Sequence, residues 1–322
     1  MSDIWSLKVI QDIILDNEYR DQKNLYATDS EKCPCGVYHA LKGEEKTSPI
    51  EPRSLRRMEV GSMIEYNQVK KLKSLGLLID AQSRLYDEEY RVSGRHDGIV
   101  ISPEHCSPEA AELIQRKKEI DFMLNAEEKA KWAFISEYHA KTIDEKKLID
   151  ALQSIVEKTQ SLYTEDYEIN EQLLIPDERN QLIVQEVKSI VQAGFKWRQG
   201  DNEPMSSHTK QIMFYMWKLR EKYPWIQGRV LYVSTDYQDL LEFVVHYDEY
   251  LIEDLKRFWS MINNAIDTNT PPPPAPAVVQ NDKTGNWMIN KKAEWCPYHI
   301  KCTGDPEWMI KAKKEVARLN KK

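Results

Sequence analysis

The segment from Gln181 to Tyr215 constrains the chain most, because a strand pattern and a helix pattern meet in it with polar groups at the junction. Leu182, Ile183, Val184 and Val187 give the run from Gln181 to Ile190 the branched apolar bulk that suits a strand. Side chains two apart on a strand share a face, so Glu186 and Lys188 point the same way. An irregular run with Gly194, Gly200 and Pro204 follows, then a helix with Ser206 or Ser207 as its N-cap. Gln211 and Tyr215, four apart, fall on one face of that helix. A carboxylate beside an ammonium at a strand end can form half of a metal-dependent phosphodiester-cleaving site, although alone such a pair is more often solvated. The plain alternative is a solvated strand face.

Composition narrows the setting. A chain of 322 residues can bury the core of one large domain or two small ones, and 41% hydrophobic content excludes wholesale disorder. A membrane-spanning helix needs a run of about 18 apolar residues or more, and none occurs. The first residues, Met-Ser-Asp-Ile-Trp, lack a basic segment followed by an apolar one, so a cytoplasmic protein is expected. There, five cysteines point to thiols or metal ligands more than to disulfides. The net charge of −7 argues against a protein that coats DNA by bulk electrostatics, although a carboxylate metal site is itself acidic. Arg53, Arg56, Arg57, Lys70, Lys71 and Lys73 form one basic group; Lys311, Lys313, Lys314, Arg318, Lys321 and Lys322 form another. Each reads either as a phosphate track or as a solvated helix face.

From the N-terminus, residues 3–20 predict an amphipathic helix, and the segment around Cys33 and Cys35 reads as tight and turn-rich. Residues 44–53 look like a loop, and a helical pattern runs from Leu55 to Leu78. That helix contains Gly61, which costs about 1 kcal/mol against Ala unless something must pack close. Glu65 lies one turn beyond. Tyr90 to Ile101 predicts two short strands around Gly94, with Asp97 either in a hairpin turn or carried on a strand. Residues 103–178 read as a helical insertion between core strands, with helices near 108–130 and 143–163 and an ambiguous Trp132–Lys141 stretch that suits a strand. Strands are expected at 228–234 and 241–247, and a helix at 248–266. A polyproline spacer, Pro271 to Pro276, leads to Cys296, Cys302 and a basic C-terminal helix.

Four short patterns occur in order: Gly61-Ser-Met-Ile-Glu65, Gly94-Arg-His-Asp97, Glu186-Val-Lys188 and Gln211-Ile-Met-Phe-Tyr215. This order resembles the PD-(D/E)xK nuclease superfamily, in particular the RecB-like exonucleases of phages and of CRISPR adaptation systems. The resemblance covers roughly residues 30–250 apart from the insertion. It implies an α/β, restriction-endonuclease-like fold: a mixed central sheet flanked by helices, with a helical insertion and a cysteine-bound metal clasp. It divides the chain into an N-terminal helical segment (1–54), a nuclease core (55–266) and a C-terminal spacer and clasp (267–322).

The residue types suit the implied chemistry. Glu65, Asp97 and Glu186 would offer hard oxygen ligands to Mg²⁺ or Mn²⁺, with the Val187 carbonyl a further one. Lys188 would orient or deprotonate the attacking water, or steady developing charge. Gln211 and Tyr215 would hold DNA or brace the lysine. Glu137 and Lys141 are a competing pair, but a spacing of four suits a helical ion pair rather than one metal and one water. Phe195 and Trp197 either stack bases or pack the core.

The family branch with an iron–sulfur cluster places one cysteine before the core and three after it, as Cys-x-x-Cys-x5-Cys. Here Cys296 and Cys302 match the final pair, Ala293 stands where the other cysteine belongs, and Cys33 and Cys35 precede the core. A [4Fe-4S] cluster, structural Zn²⁺ with His39 or His299 as alternative ligands, and free thiols are the three readings. Cys106 reads as an ordinary cysteine. The implied activity is metal-dependent DNA exonuclease action in phage or mobile-element recombination, repair or processing, in the host cytoplasm if phage-encoded. DNA with free ends or single strands would be the partner, alone or with an oligomeric or processing partner protein. The rivals are a CRISPR-adaptation nuclease, a non-catalytic DNA-binding protein, and a cysteine-rich metal protein on which Glu186 and Lys188 decorate the surface.

Overall fold

The computed structural model describes residues 22–46, 52–281 and 284–321. In chain order come β1 (Leu25–Tyr26), a 3-10 turn (Ala27–Glu31), α1 (Pro34–Leu41), α2 (Pro52–Ser74), β2 (Leu78–Asp80), β3 (Arg84–Asp87), β4 (Val92–Arg95) and β5 (Gly98–Ile101). Two long helices follow, α3 (Pro108–His139) and α4 (Glu145–Leu173). Then come β6 (Leu182–Ile190), α5 (Gln192–Asp201), α6 (Ser206–Leu219), β7 (Gln227–Ser234), β8 (Leu240–Val245) and α7 (Glu249–Asp267). The C-terminal part holds β9 (Val278–Gln280), β10 (Trp287–Ile289), α8 (Lys291–Glu294), α9 (His299–Thr303) and α10 (Trp308–Leu319).

A five-stranded sheet in the order β2-β5-β6-β7-β8 forms the centre. β6 sits in its middle, antiparallel to β5 and parallel to β7. A parallel pair cannot be joined by a tight turn, and α5 with α6 supplies the crossover. Helix α6 is apolar along most of its length because it is enclosed: Ile212, Met213, Phe214, Tyr215 and Met216 are all buried between the sheet and α7. On the other face α2 packs against β6, with Ile64 meeting Val187 and Val233. Gly61 makes that approach possible, since a Cβ there would stand 3.0 Å from Ser189 Oγ. A smaller sheet, β1-β4-β3, and the β9-β10 hairpin complete a mixed α/β protein with helices flanking its sheets.

Helices α3 and α4 form an antiparallel hairpin between β5 and β6, the two strands that pair with each other. Its neck is closed by Ser102 N–H to Gln181 O (3.0 Å), Gln181 N–H to His105 O (2.9 Å) and Ser107 N–H to Asn180 Oδ1 (2.8 Å). Within it the buried Lys117 ammonium donates to Asp166 at 2.7 Å. Among the described residues, no helix is long and apolar enough to cross a membrane.

Several elements differ from the expectation. The 3–20 helix lies outside the described residues. The Cys33 segment is helical, because Pro34 occupies the first position of α1, where a missing N–H costs nothing. Gly94 lies inside β4 rather than in a turn, and the break falls at His96 and Asp97, where the chain passes from one sheet to the other. The irregular run after Ile190 is α5: Asp236 accepts from Gln192 N–H at 2.8 Å at its start, and Asn202 ends it in the left-handed region at φ 53°. Neither Ser206 nor Ser207 caps α6. Met205 does, with its N–H donating to Tyr232 Oη at 2.9 Å. Trp132–His139 continues α3 as helix, which leaves Glu137 exposed on the hairpin. Phe195 is buried in the core, whereas Trp197 is 68% exposed.

Gly228 lies on β7 directly beneath α6, where a Cβ would collide with Ile212 and come within 3.1 Å of Met216. Gly228→Ala is expected to lower stability by about 1–3 kcal/mol through overpacking, read as a shifted urea midpoint with an unchanged slope.

Candidate functional site

Glu186 and Lys188 share a face of β6 and form an ion pair with each other. Val187, between them, points to α2. The β5–β6 register pairs Gly98 with Gln185, which puts Asp97 opposite Glu186 just beyond the end of β5. Asp97 Oδ2 there accepts the Val187 N–H at 2.6 Å. Glu65 comes from α2, one turn past the Gly61 contact, and accepts from Gln82 Nε2. Gly94 admits the fourth element: a Cβ there would stand 2.7 Å from the Tyr215 ring and 2.8 Å from Phe214. Tyr215 is buried, accepts from Gln211 Nε2 at 2.7 Å and donates to Arg95 O at 2.8 Å. It therefore braces the strand leading to Asp97 and offers no exposed surface to DNA.

The electrostatics are those of crowded negative charge. Burial, with Glu186 and Glu65 nearby, pushes the Asp97 carboxyl up to about 9. Burial also raises Glu186, and Lys188 only partly offsets it. Burial works against the Lys188 charge, yet Glu186, Asp97 and Glu65 together hold its ammonium above the ordinary lysine range. Glu186 is only 2% exposed, and its Oε2 is buried without a hydrogen-bond partner. An orphaned oxygen beside mutually repelling carboxylates is the donor chemistry that suits a hard divalent cation. The three carboxylates are not drawn into one tight cage. Each is turned to a protein partner, and the His, Cys, Asp or Glu groups of three with ligand atoms within 4.8 Å of one another, among the described residues, are both built on thiols.

Four further residues meet the site without a signal of their own in the sequence. His96 is fully buried, stands edge-on to Tyr215 and lies 3.4 Å from Asp80 Oδ2. Gln82 holds Glu65. His208 bonds Tyr232 Oη through Nδ1 at 2.7 Å, and burial with Lys188 and Arg198 nearby pushes it down to about 3, so it stays neutral. Only His96 was adjacent to a motif residue. Asp80, Gln82 and His208 are brought in by tertiary packing.

The second cluster joins the chain ends. Cys33 caps α1 and Cys35 lies within it, while Cys296 follows α8 and Cys302 lies in α9. Cys33, Cys296 and Cys302 group within 4.8 Å, as do Cys35, His39 and Cys302. These Cys and His groups have the spacing to hold a metal ion. Cys33 Sγ also accepts the Ala275 N–H at 3.2 Å, so the proline spacer touches the cluster. Gly36 is required there, because a Cβ would lie 2.5 Å from Cys296 Sγ. Where thiols or metal ligands are expected more than disulfides, Cys35 and Cys302 are paired as a disulfide, with Cα atoms 6.2 Å apart. Cys33, Cys106 and Cys296 are free. His299 is buried against Trp308, with ring centroids 4.0 Å apart.

Neither a family model nor a curated protein matches the chain. Among solved structures, the crystal structure of SSO0001 overlays 92% of this chain and 95% of that one, with a TM-score of 0.42 and 12% identity. A likeness that loose carries no argument about fold or function.

Asp97 holds its proton in the folded state up to about pH 9 but releases it near pH 4 when unfolded, an ordinary carboxyl range. The folded form therefore binds the extra proton across that window, and stability falls as pH rises through it. In chelator, the decline is at most about 1.4 kcal/mol per pH unit. Asp97→Asn keeps an acceptor for Val187 N–H and should flatten the decline, measured by urea unfolding at pH 5 and pH 8.

Proposed function

We propose that the protein is a metal-dependent DNA nuclease of the PD-(D/E)xK type, acting exonucleolytically on strands with free ends. One observation supports the reading: Asp97, Glu186 and Glu65 lie close enough to act electrostatically on Lys188, and Glu186 Oε2 is buried and unpartnered. The central mixed sheet, with β6 in its middle, is consistent with a restriction-endonuclease-like core.

In this reading Asp97, Glu186 and Glu65 would hold Mg²⁺ or Mn²⁺, with the Val187 carbonyl a further oxygen. The chemistry such a cation would supply is polarisation of the scissile phosphate and a water of lowered pKa. Lys188 is held protonated by the carboxylates as they stand, so its first role is to steady developing charge. Lys188 would also be placed to orient the attacking water or to exchange a proton with it. Tyr215 and Gln211 keep the Asp97 strand in place. End-labelled single- and double-stranded DNA should release nucleotides with Mg²⁺ or Mn²⁺, and Lys188→Ala should lower the rate at least about 100-fold while circular dichroism stays unchanged. Absence of release from every substrate would leave the non-catalytic DNA-binding reading, and full activity in Lys188→Ala would overturn the role given to Lys188.

For the cysteine cluster we propose a metal clasp in the reduced protein, a [4Fe-4S] centre first and Zn²⁺ second. Convergence of Cys33, Cys35, Cys296 and Cys302, with an amide donating to one sulfur, supports it. Protein prepared without oxygen should absorb broadly near about 400 nm and lose the band in Cys33→Ser. A colourless preparation with stoichiometric zinc would decide for zinc instead.

A further inference from the structure

The turn between β2 and β3 lies against the carboxylate site, although none of the four sequence patterns includes it. Gln82 holds a φ of 60°, in the left-handed region that residues with a Cβ seldom occupy. From that position its Nε2 donates to Glu65 Oε1. Two residues earlier, Asp80 accepts from Ser83 Oγ at 2.6 Å and faces His96 Nε2 at 3.4 Å. His96 immediately precedes Asp97 in the chain. One short turn thus touches the side chain of one candidate ligand and the neighbour of another.

Backbone conformations of this kind persist where the surroundings hold them, and they gather at functional sites. A carboxylate has two oxygens. A donor on one of them fixes the plane of the group while leaving the other for an ion, which is how residues behind a metal site orient its ligands. We propose that Gln82 is a positioning residue of the cation site: its amide anchors Glu65 Oε1 and so sets the affinity for a divalent ion. This rests on reading Glu65, Asp97 and Glu186 as metal ligands.

The test is Mn²⁺ binding to the full chain, followed by loss of the free-ion electron paramagnetic resonance signal and needing no turnover. Gln82→Gly suits the left-handed backbone but removes the donor, so the thermal midpoint should hold while Mn²⁺ affinity falls about tenfold. Gln82→Asn also tolerates this backbone but is one methylene too short to reach Glu65, and the same loss is expected should glycine loosen the turn. Glu65→Gln should weaken binding at least as much. Adding Gln82→Gly to it should change nothing more, because the two residues act as one unit. Wild-type affinity in both Gln82 variants overturns the assignment, as does an equal further loss in the Glu65→Gln background. If the wild-type protein binds no Mn²⁺, the reading of the carboxylate site fails, and this inference with it.

Discussion

Pairing between β5 and β6 stops at Gly98 and Gln185, and the buried amide of Val187 has to find an acceptor elsewhere. An unpaired N–H in that position would be expensive, and Asp97 supplies the oxygen at 2.6 Å. That single bond brings a carboxylate to the middle of the sheet, opposite Glu186. Once it is there, burial and the neighbouring carboxylates raise both acids, and the same carboxylates hold Lys188 protonated against its own burial. The rest of the site follows from this unfavourable concentration of charge.

The glycines of the two sequence patterns are explained by packing rather than by turns. Gly61 lets α2 settle on β6 next to Ser189, so that Glu65 arrives one turn later. Gly94 lets the rings of α6 slide under β4, so that Tyr215 reaches Arg95 O. Each glycine belongs to one motif but makes room for another. Their spacing to Glu65 and Asp97 therefore records a geometry between elements, not within one.

The cysteine cluster plays the corresponding part for the chain ends. Cys33 and Cys35 precede the core, whereas Cys296 and Cys302 follow a proline spacer whose Ala275 amide lies on Cys33 Sγ. Whether the sulfurs bridge directly, as Cys35 and Cys302 do, or surround a metal, the contact fastens the C-terminal segment to α1. At the C-terminus Lys311 pairs with Asp305 and Arg318 with Glu315.

What the sequence alone determined was whatever depends on local period: the alternation that puts Glu186 and Lys188 on one face, the spacing that joins Gln211 to Tyr215, and the helices with long apolar stripes. It misread α5 and the cap of α6, because their starts are satisfied by Asp236 and Tyr232 from β7 and the loop after it. Gln82, Asp80 and His208 were illegible for the same reason: no local rule marks a residue whose partner is a distant element. Which carboxylates meet, which oxygen stays unpartnered and which thiols touch were decided only when strands from opposite sides of the helical hairpin paired. Charge interactions depend on distance through space, and chain separation says little about that.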